Sequence, residues 1–224
     1  NAFAYDLQAA CSGFLYGMSI ASSMITSGRY KNVLLIGADK MSSIVDYEDR
    51  ATCIIFGDGA GAVLFEASDS DFGWEDEYLR SDGSGRKYLN IKAGGSLLPT
   101  SRLTVENKMH NLYQDGKTVF KYAVSRMSDA TEQIIKRNKI DPKKIAYLVP
   151  HQANSRIIDA TAKRINLPTE KVMRNIEKYG NTTAATLPLL LKDYEKKLRP
   201  GDKLIFAAFG GGFTWGAAYL TWSY

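Results

Sequence analysis

The sequence predicts an α/β protein assembled from two related units. Three observations carry that reading. Apolar runs of strand length alternate with helical patterns along the chain. Val33–Gly37 and Lys203–Ala208 each lead through a glycine-rich turn to a second strand opening Gly61-Ala62 or Gly216-Ala217, a weak internal repeat. A length of 224 residues, 45% hydrophobic, suffices for a sizeable core.

The elements follow in order. Ala2–Leu7 reads as a strand. Gly13–Ser27 is a helix with Phe14, Met18, Ala21 and Ile25 on one face, and Val33–Asp39 is an apolar strand. Ala51–Phe56 is a short apolar strand in which Cys53 packs, followed by strands at Gly61–Glu66 and around Trp74–Arg80. Ser81–Met109 is polar and glycine-bearing, an irregular connection, with His110 read as a surface residue beside it. Lys117–Asn138 is a long amphipathic helix striped by Val119, Ala123, Met127, Ala130 and Ile134. Strand Ala146–Val149 stops at Pro150, helix Asn154–Ile165 follows, and Pro168 starts another. Helix Ala184–Leu198, strand Lys203–Phe209 and strand Gly216–Trp222 complete the chain. The boundary between the units is expected near residue 80.

Composition narrows the function. The longest apolar runs are far too short to span a bilayer. Two cysteines form no disulfide framework, which suits a reducing cytoplasm. A net charge of +5 permits an acidic protein partner, nucleotide phosphates or nucleic acid. No aromatic residues interleave with the basic ones as in a single-strand binder. Gly57–Gly61 lacks the Lys-Ser/Thr of a phosphate loop and reads as a turn.

Chemistry concentrates at four places. Cys11 falls where an apolar segment meets a helix start, a setting expected to favour a thiolate. His151 follows the strand ending at Pro150, at the kind of sheet edge where α/β proteins bind ligands. Asn181 lies in a glycine turn entering a small-residue helix start. Phe209–Gly216 is a glycine run whose backbone N–H groups can approach a substrate.

At these places the chain resembles the thiolase-like condensing enzymes, and within them the β-ketoacyl-acyl carrier protein synthase III family. The motifs AACSGF, DRATCIIFGDGAGAVLF, PHQAN, YGNTTAA and FGGGFTWG occur in that family's order. The resemblance implies a layered αβαβα fold of two duplicated halves. Residues 1–80 would be the remainder of the N-terminal half, carrying the nucleophile, and residues 81–224 the C-terminal half. The family carries roughly a hundred further residues ahead of the Cys motif. The first half is therefore expected to be incomplete in this chain and to expose apolar sheet surface, with an N-terminal segment of the same protein as its partner.

The resemblance also implies roles. Cys11, His151 and Asn181 would form the catalytic triad, with the N–H groups of Cys11 and Gly211 as the oxyanion hole. Arg50, Gly116, Phe120 and Asn154 would contact coenzyme A, although Arg50 could instead pair with Asp46 or Glu48. Phe56 and Phe209 would line the acyl pocket or simply pack in the core. Lys121, Arg156, Lys163 and Arg164 would dock an acidic acyl carrier protein, or form an ordinary solvated face.

The implied reaction condenses a short acyl-CoA, acetyl-CoA foremost, with malonyl-acyl carrier protein through an acyl-cysteine, initiating fatty acid synthesis. No metal or redox cofactor is expected, coenzyme A thioesters being substrates. A cytoplasmic homodimer without nucleic-acid or membrane partners is expected. Two alternatives stay open: a related Cys-His-Asn enzyme of polyketide or secondary metabolism, and a catalytically silent partner subunit of the same fold. A cysteine hydrolase would leave Asn181 and the glycine run unexplained.

Overall fold

A computed structural model describes residues 2–224; Asn1, which the 1–80 half includes, lies outside the described residues. The strands are β1 (Asn32–Asp39), β2 (Gly59–Glu66), β3 (Gly73–Ser81), β4 (Leu89–Ile91), β5 (Leu112–Gln114), β6 (Ile145–Pro150), β7 (Lys203–Gly210) and β8 (Thr214–Thr221). The helices are α1 (Gly13–Thr26), α2 (Arg102–Glu106), α3 (Gly116–Arg137), α4 (Ser155–Arg164), α5 (Ile176–Tyr179) and α6 (Thr186–Tyr194).

The central sheet has the order β3-β8-β7-β6, with β6 and β7 parallel and the other pairs antiparallel. Successive residues of a strand face opposite ways, and here both faces are covered. Ile205, Ala207 and Phe209 of β7 and Ala217 and Tyr219 of β8 join one core with Val119, Ala123, Met127 and Ile134 of α3 and Ile157 and Ile158 of α4. Leu204, Phe206, Ala208 and Ala218 point the other way, onto Phe14, Leu15 and Met18 of α1 and Leu187, Leu190 and Leu191 of α6. Beyond α1 and α6 lies the antiparallel pair β1–β2. The sequence of layers is thus α3/α4, sheet, α1/α6, β1–β2. The outer face of β1–β2 presents Leu34, Ile36 and Leu64 at 60%, 59% and 53% exposure, an uncovered apolar surface.

The repeated apolar segments Val33–Gly37 and Lys203–Ala208 fall in β1 and β7, each the first strand of an antiparallel pair, β1–β2 and β7–β8. β3 pairs with β8 in the central sheet although it precedes residue 81 almost entirely.

Three expectations need correction. Ala2–Leu7 forms no strand; it lies exposed without a ladder partner among the described residues, and Phe3 stacks on Tyr5 instead. Ala51–Ile55 is a series of turns, with Ile54 75% exposed; it is fastened through Phe56, which bridges to Asn181. Cys53 is therefore half-buried in a turn, not packed in a strand. The connection after Ser81 is less irregular than its composition suggests, holding β4 and α2, and His110 is half-buried with Nε2 3.0 Å from the Thr104 hydroxyl.

Candidate active site

Cys11 occupies a single tight turn, Ala10–Ser12, immediately before α1. Ala10 takes φ 46°, a left-handed conformation costing an alanine roughly 1–2 kcal/mol. The turn is held against the β7–β8 connection: the Thr214 hydroxyl donates to Ala9 O at 2.8 Å, and Ser12 Oγ donates to Thr214 O at 3.1 Å. At Gly210 the backbones nearly touch, since a Cβ there would lie 2.6 Å from Cys11 N.

His151 extends the β6–β7 ladder by one residue, its N–H donating to Ala207 O at 2.8 Å. Its ring is buried, with Nδ1 2.7 Å from Thr186 Oγ1 and Nε2 without a protein partner among the described residues. Asn181 follows Gly180, whose φ of 67° turns the chain. Asn181 N–H donates to Ile55 O and Gly57 N–H donates to Asn181 O, both at 3.0 Å, so Phe56 and Asn181 are set side by side. Asn181 Oδ1 accepts the Thr183 N–H at 2.9 Å, which leaves the amide NH2 as the group available to substrate.

These segments meet. Cys11, His151 and Asn181 line one cavity of about 490 Å³ together with Phe56, Phe209 and Gly210. Gly116, Phe120, Asn154 and Arg156 line it too, with Lys117 and Gln114. Asn154 also caps α4, its Oδ1 accepting the Arg156 N–H at 2.9 Å. The Arg156 guanidinium sits 5.1 Å from the centre of the Phe120 ring.

Other expected site residues lie outside this lining. Gly211 adjoins it through Gly210 and packs near Ala10 and Leu89. Arg50 is exposed, next to Ala51, which does line the cavity. It does not pair with Asp46 or Glu48, whose carboxylates are taken by Lys108 at 3.2 and 2.5 Å. Lys121 and Lys163 are exposed. Arg164 is tied to Glu132 at 2.9 Å and Asp129 at 3.3 Å, a structural use that the basic-face reading did not foresee.

The ionisation of the site differs from expectation. Burial pushes the Cys11 thiol up to about 12, with the nearby Asp39 carboxylate adding to the rise, and its backbone hydrogen bond only partly opposes them. Loss of hydration outweighs the helix start, so the resting group is a thiol. Burial likewise lowers His151 to about 3, so the imidazole is neutral. The sequence reading missed Thr186, which holds His151, and Asp39, which accepts the Ala184 N–H at 3.0 Å. Thr186 stands in the helix start just after the YGNTTAA motif, and its hydroxyl entering an apolar helix was the available signal.

Residues 5–83 match the family 3-oxoacyl-[acyl-carrier-protein] synthase III, and residues 135–222 match its C-terminal part. The chain is 60% identical over 224 residues to a β-ketoacyl-[acyl-carrier-protein] synthase III of Phocaeicola vulgatus, covering all of this chain and 67% of that protein. Its structure is similar to a 3-oxoacyl-(acyl carrier protein) synthase III of Pseudomonas aeruginosa, with TM-score 0.90 and 38% identity, covering 100% of this chain and 69% of the other. It is also similar to a priming β-ketosynthase of a polyketide pathway, with TM-score 0.87 and 31% identity, covering 100% and 66%. No helix among the described residues is long and apolar enough to cross a membrane.

Proposed function

The chain belongs to the 3-oxoacyl-[acyl-carrier-protein] synthase III family, and on that premise we propose how its residues carry out the condensation that initiates fatty acid synthesis. The observation that supports the assignment of roles is the convergence of Cys11, His151 and Asn181, from three distant segments, on one cavity. The cavity is apolar at Phe56, Met127 and Phe209 and polar near Gln114, Asn154 and Arg156, which suits a thioester with an acyl end and a hydrated arm.

In the first half-reaction, Cys11 Sγ attacks the carbonyl carbon of acetyl-CoA. A thiol held near 12 does not ionise ahead of the substrate, so proton loss accompanies attack. The N–H groups of Cys11 and Gly211 stabilise the oxyanion. The C–S bond to coenzyme A breaks, the thiol proton leaves with it as coenzyme A thiol, and acetyl-Cys11 remains.

In the second, malonyl-acyl carrier protein enters the same cavity. The bond to its carboxylate breaks, carbon dioxide departs, and the electron pair passes to the thioester enolate, whose oxygen accepts hydrogen bonds from His151 and Asn181. The enolate carbon attacks acetyl-Cys11, giving β-ketoacyl-acyl carrier protein and a free thiolate, which takes up a proton. Thioester chemistry accounts for each step.

Gly116, Phe120 and Asn154 take the pantetheine arm, and exposed Arg50 meets the nucleotide end. Phe56 and Phe209 bound the acyl group. Lys121, Arg156 and Lys163, together with the partly neutralised Arg164, receive the acidic carrier protein. A cytoplasmic homodimer and the two-half division at 1–80 and 81–224 complete the reading.

The test is product formation: acetyl-CoA and malonyl-acyl carrier protein should yield acetoacetyl-acyl carrier protein with the parent protein and none with Cys11→Ser. Thioester hydrolysis without condensation would overturn the assignment. The likeness to a priming β-ketosynthase favours a second reading, the same chemistry on a polyketide carrier protein. Faster condensation on such a carrier than on a fatty-acid one would select it.

A further inference from the structure

We infer that Thr186 is a positioning residue for the second half-reaction: its hydroxyl donates to His151 Nδ1 and thereby places the ring proton on Nε2, facing the cavity. The inference rests on the condensing reading above and deepens it.

Thr186 Oγ1 has two polar neighbours, His151 Nδ1 at 2.7 Å and Thr183 O at 3.0 Å, and one proton to give. The Thr183 carbonyl already accepts the backbone N–H of Thr186. His151 Nδ1 has no second partner among the described residues. Two proton arrangements fill these buried contacts: Nδ1–H donates to Thr186 Oγ1 while the hydroxyl donates to Thr183 O, or the hydroxyl donates to Nδ1 across the shorter contact. Only the second leaves a donor on Nε2, as stabilisation of the enolate oxygen requires. A neutral imidazole carries one N–H. If Nδ1 accepts, Nε2 is the donor.

Nε2 is the buried ring nitrogen with no protein partner, on a residue that lines the cavity. Asn181 reaches the same condition by parallel means. Its Oδ1 is occupied by the Thr183 N–H, and its NH2 is left to the cavity. The turn from Asn181 to Thr186 therefore arranges two hydrogen-bond donors for one oxygen. It is anchored in turn by the Asp39 carboxylate at the end of β1, through the Ala184 N–H at 3.0 Å.

An Nε2–H can donate to the enolate oxygen but cannot take the proton of Cys11. The two half-reactions should thus respond differently to loss of the Thr186 hydroxyl. Thr186→Val keeps the volume and removes the donor. Its kcat for condensation with malonyl-acyl carrier protein should fall roughly 10–100-fold, with KM and the rate of Cys11 acetylation within about threefold of the parent. Thr186→Ser should restore condensation to within about threefold.

Nitrogen-15 spectra of the parent protein test the proton position without reference to activity, and only His110 and His151 contribute imidazole signals. Nε2 of His151 should show as the proton-bearing nitrogen and Nδ1 as the lone-pair one. The reverse assignment overturns the inference, as does equal loss of both half-reactions in Thr186→Val or a Thr186→Ser as impaired as Thr186→Val. A parent protein that neither acetylates nor condenses would sink the condensing reading instead, while the nitrogen spectrum would still decide the role of Thr186.

Discussion

Neighbouring glycines in the β7–β8 connection should respond in opposite ways to the same substitution. A Cβ at Gly210 would stand 2.6 Å from Cys11 N, 3.0 Å from Cys11 Cβ and 3.1 Å from Cys11 Cα, whereas ordinary contact begins near 3.4 Å. Gly210 is paired to Thr214 at the end of the β7–β8 ladder and cannot swing away, and two of the three Cys11 atoms that the new Cβ would meet are backbone. Gly210→Ala must therefore displace the nucleophile turn by about 0.8 Å. A misplacement of that order costs about 100-fold in rate, and overpacking of this kind about 1–3 kcal/mol of stability. At Gly211 a Cβ would meet Ala10 Cβ, Leu89 Cγ and Leu89 O at 3.6 Å, ordinary contact, and the N–H assigned to the oxyanion hole is retained. Gly211→Ala should acetylate within about threefold of the parent. Intact-protein mass after timed mixing with acetyl-CoA measures both rates, and circular dichroism checks the fold. A Gly210→Ala protein that acetylates at the parental rate, or a Gly211→Ala protein that is the slower of the two, would refute the reasoning.

Three further outcomes follow from the site. With the Cys11 thiol near 12, iodoacetamide alkylation at Cys11 should rise about tenfold per pH unit from pH 7 to 10; a plateau near pH 8 would show a stabilised thiolate. His151 near 3 in the folded protein and 6.5 as the reference value means the unfolded chain binds the extra proton between those pH values. Stability should rise with pH across that window, by about 5 kcal/mol in all from this residue, and His151→Gln should flatten the slope of urea-unfolding free energy there by about 1.4 kcal/mol per pH unit. Phe14, buried on α1 between the sheet and β1–β2, should cost about 3–5 kcal/mol when changed to Ala, read as a lowered denaturation midpoint.

Much of the fold is legible from residue pattern because its central elements are buried on defined faces. The stripe Val119, Ala123, Met127, Ala130 and Ile134 of α3 is buried throughout, and the continuous apolar run of β7 is covered on both sides. The failures share one cause, the dependence of a local choice on a distant partner. Ala2–Leu7 has strand composition but no neighbour to pair with among the described residues. Ala51–Phe56 is apolar, yet its place is set by hydrogen bonds to Asn181 rather than by a ladder. Asp46 and Glu48 are engaged by Lys108, some sixty residues away in the chain, which leaves Arg50 to solvent. The sequence marks Cys11 at a helix start but does not show its burial or its proximity to Asp39, and those decide its ionisation. Thr186 reads as a helix-entry residue; only the folded contact with His151 gives it a role.

The central claim, an acyl-enzyme on Cys11 that is consumed by condensation, is tested most directly by a two-stage mass measurement. Acetyl-CoA should add one acetyl group to the parent protein and none to Cys11→Ser. Addition of malonyl-acyl carrier protein should then return the parent to its original mass as acetoacetyl-acyl carrier protein appears. An acetyl group retained through the chase, released as free acetate, or found on Cys11→Ser would contradict the account.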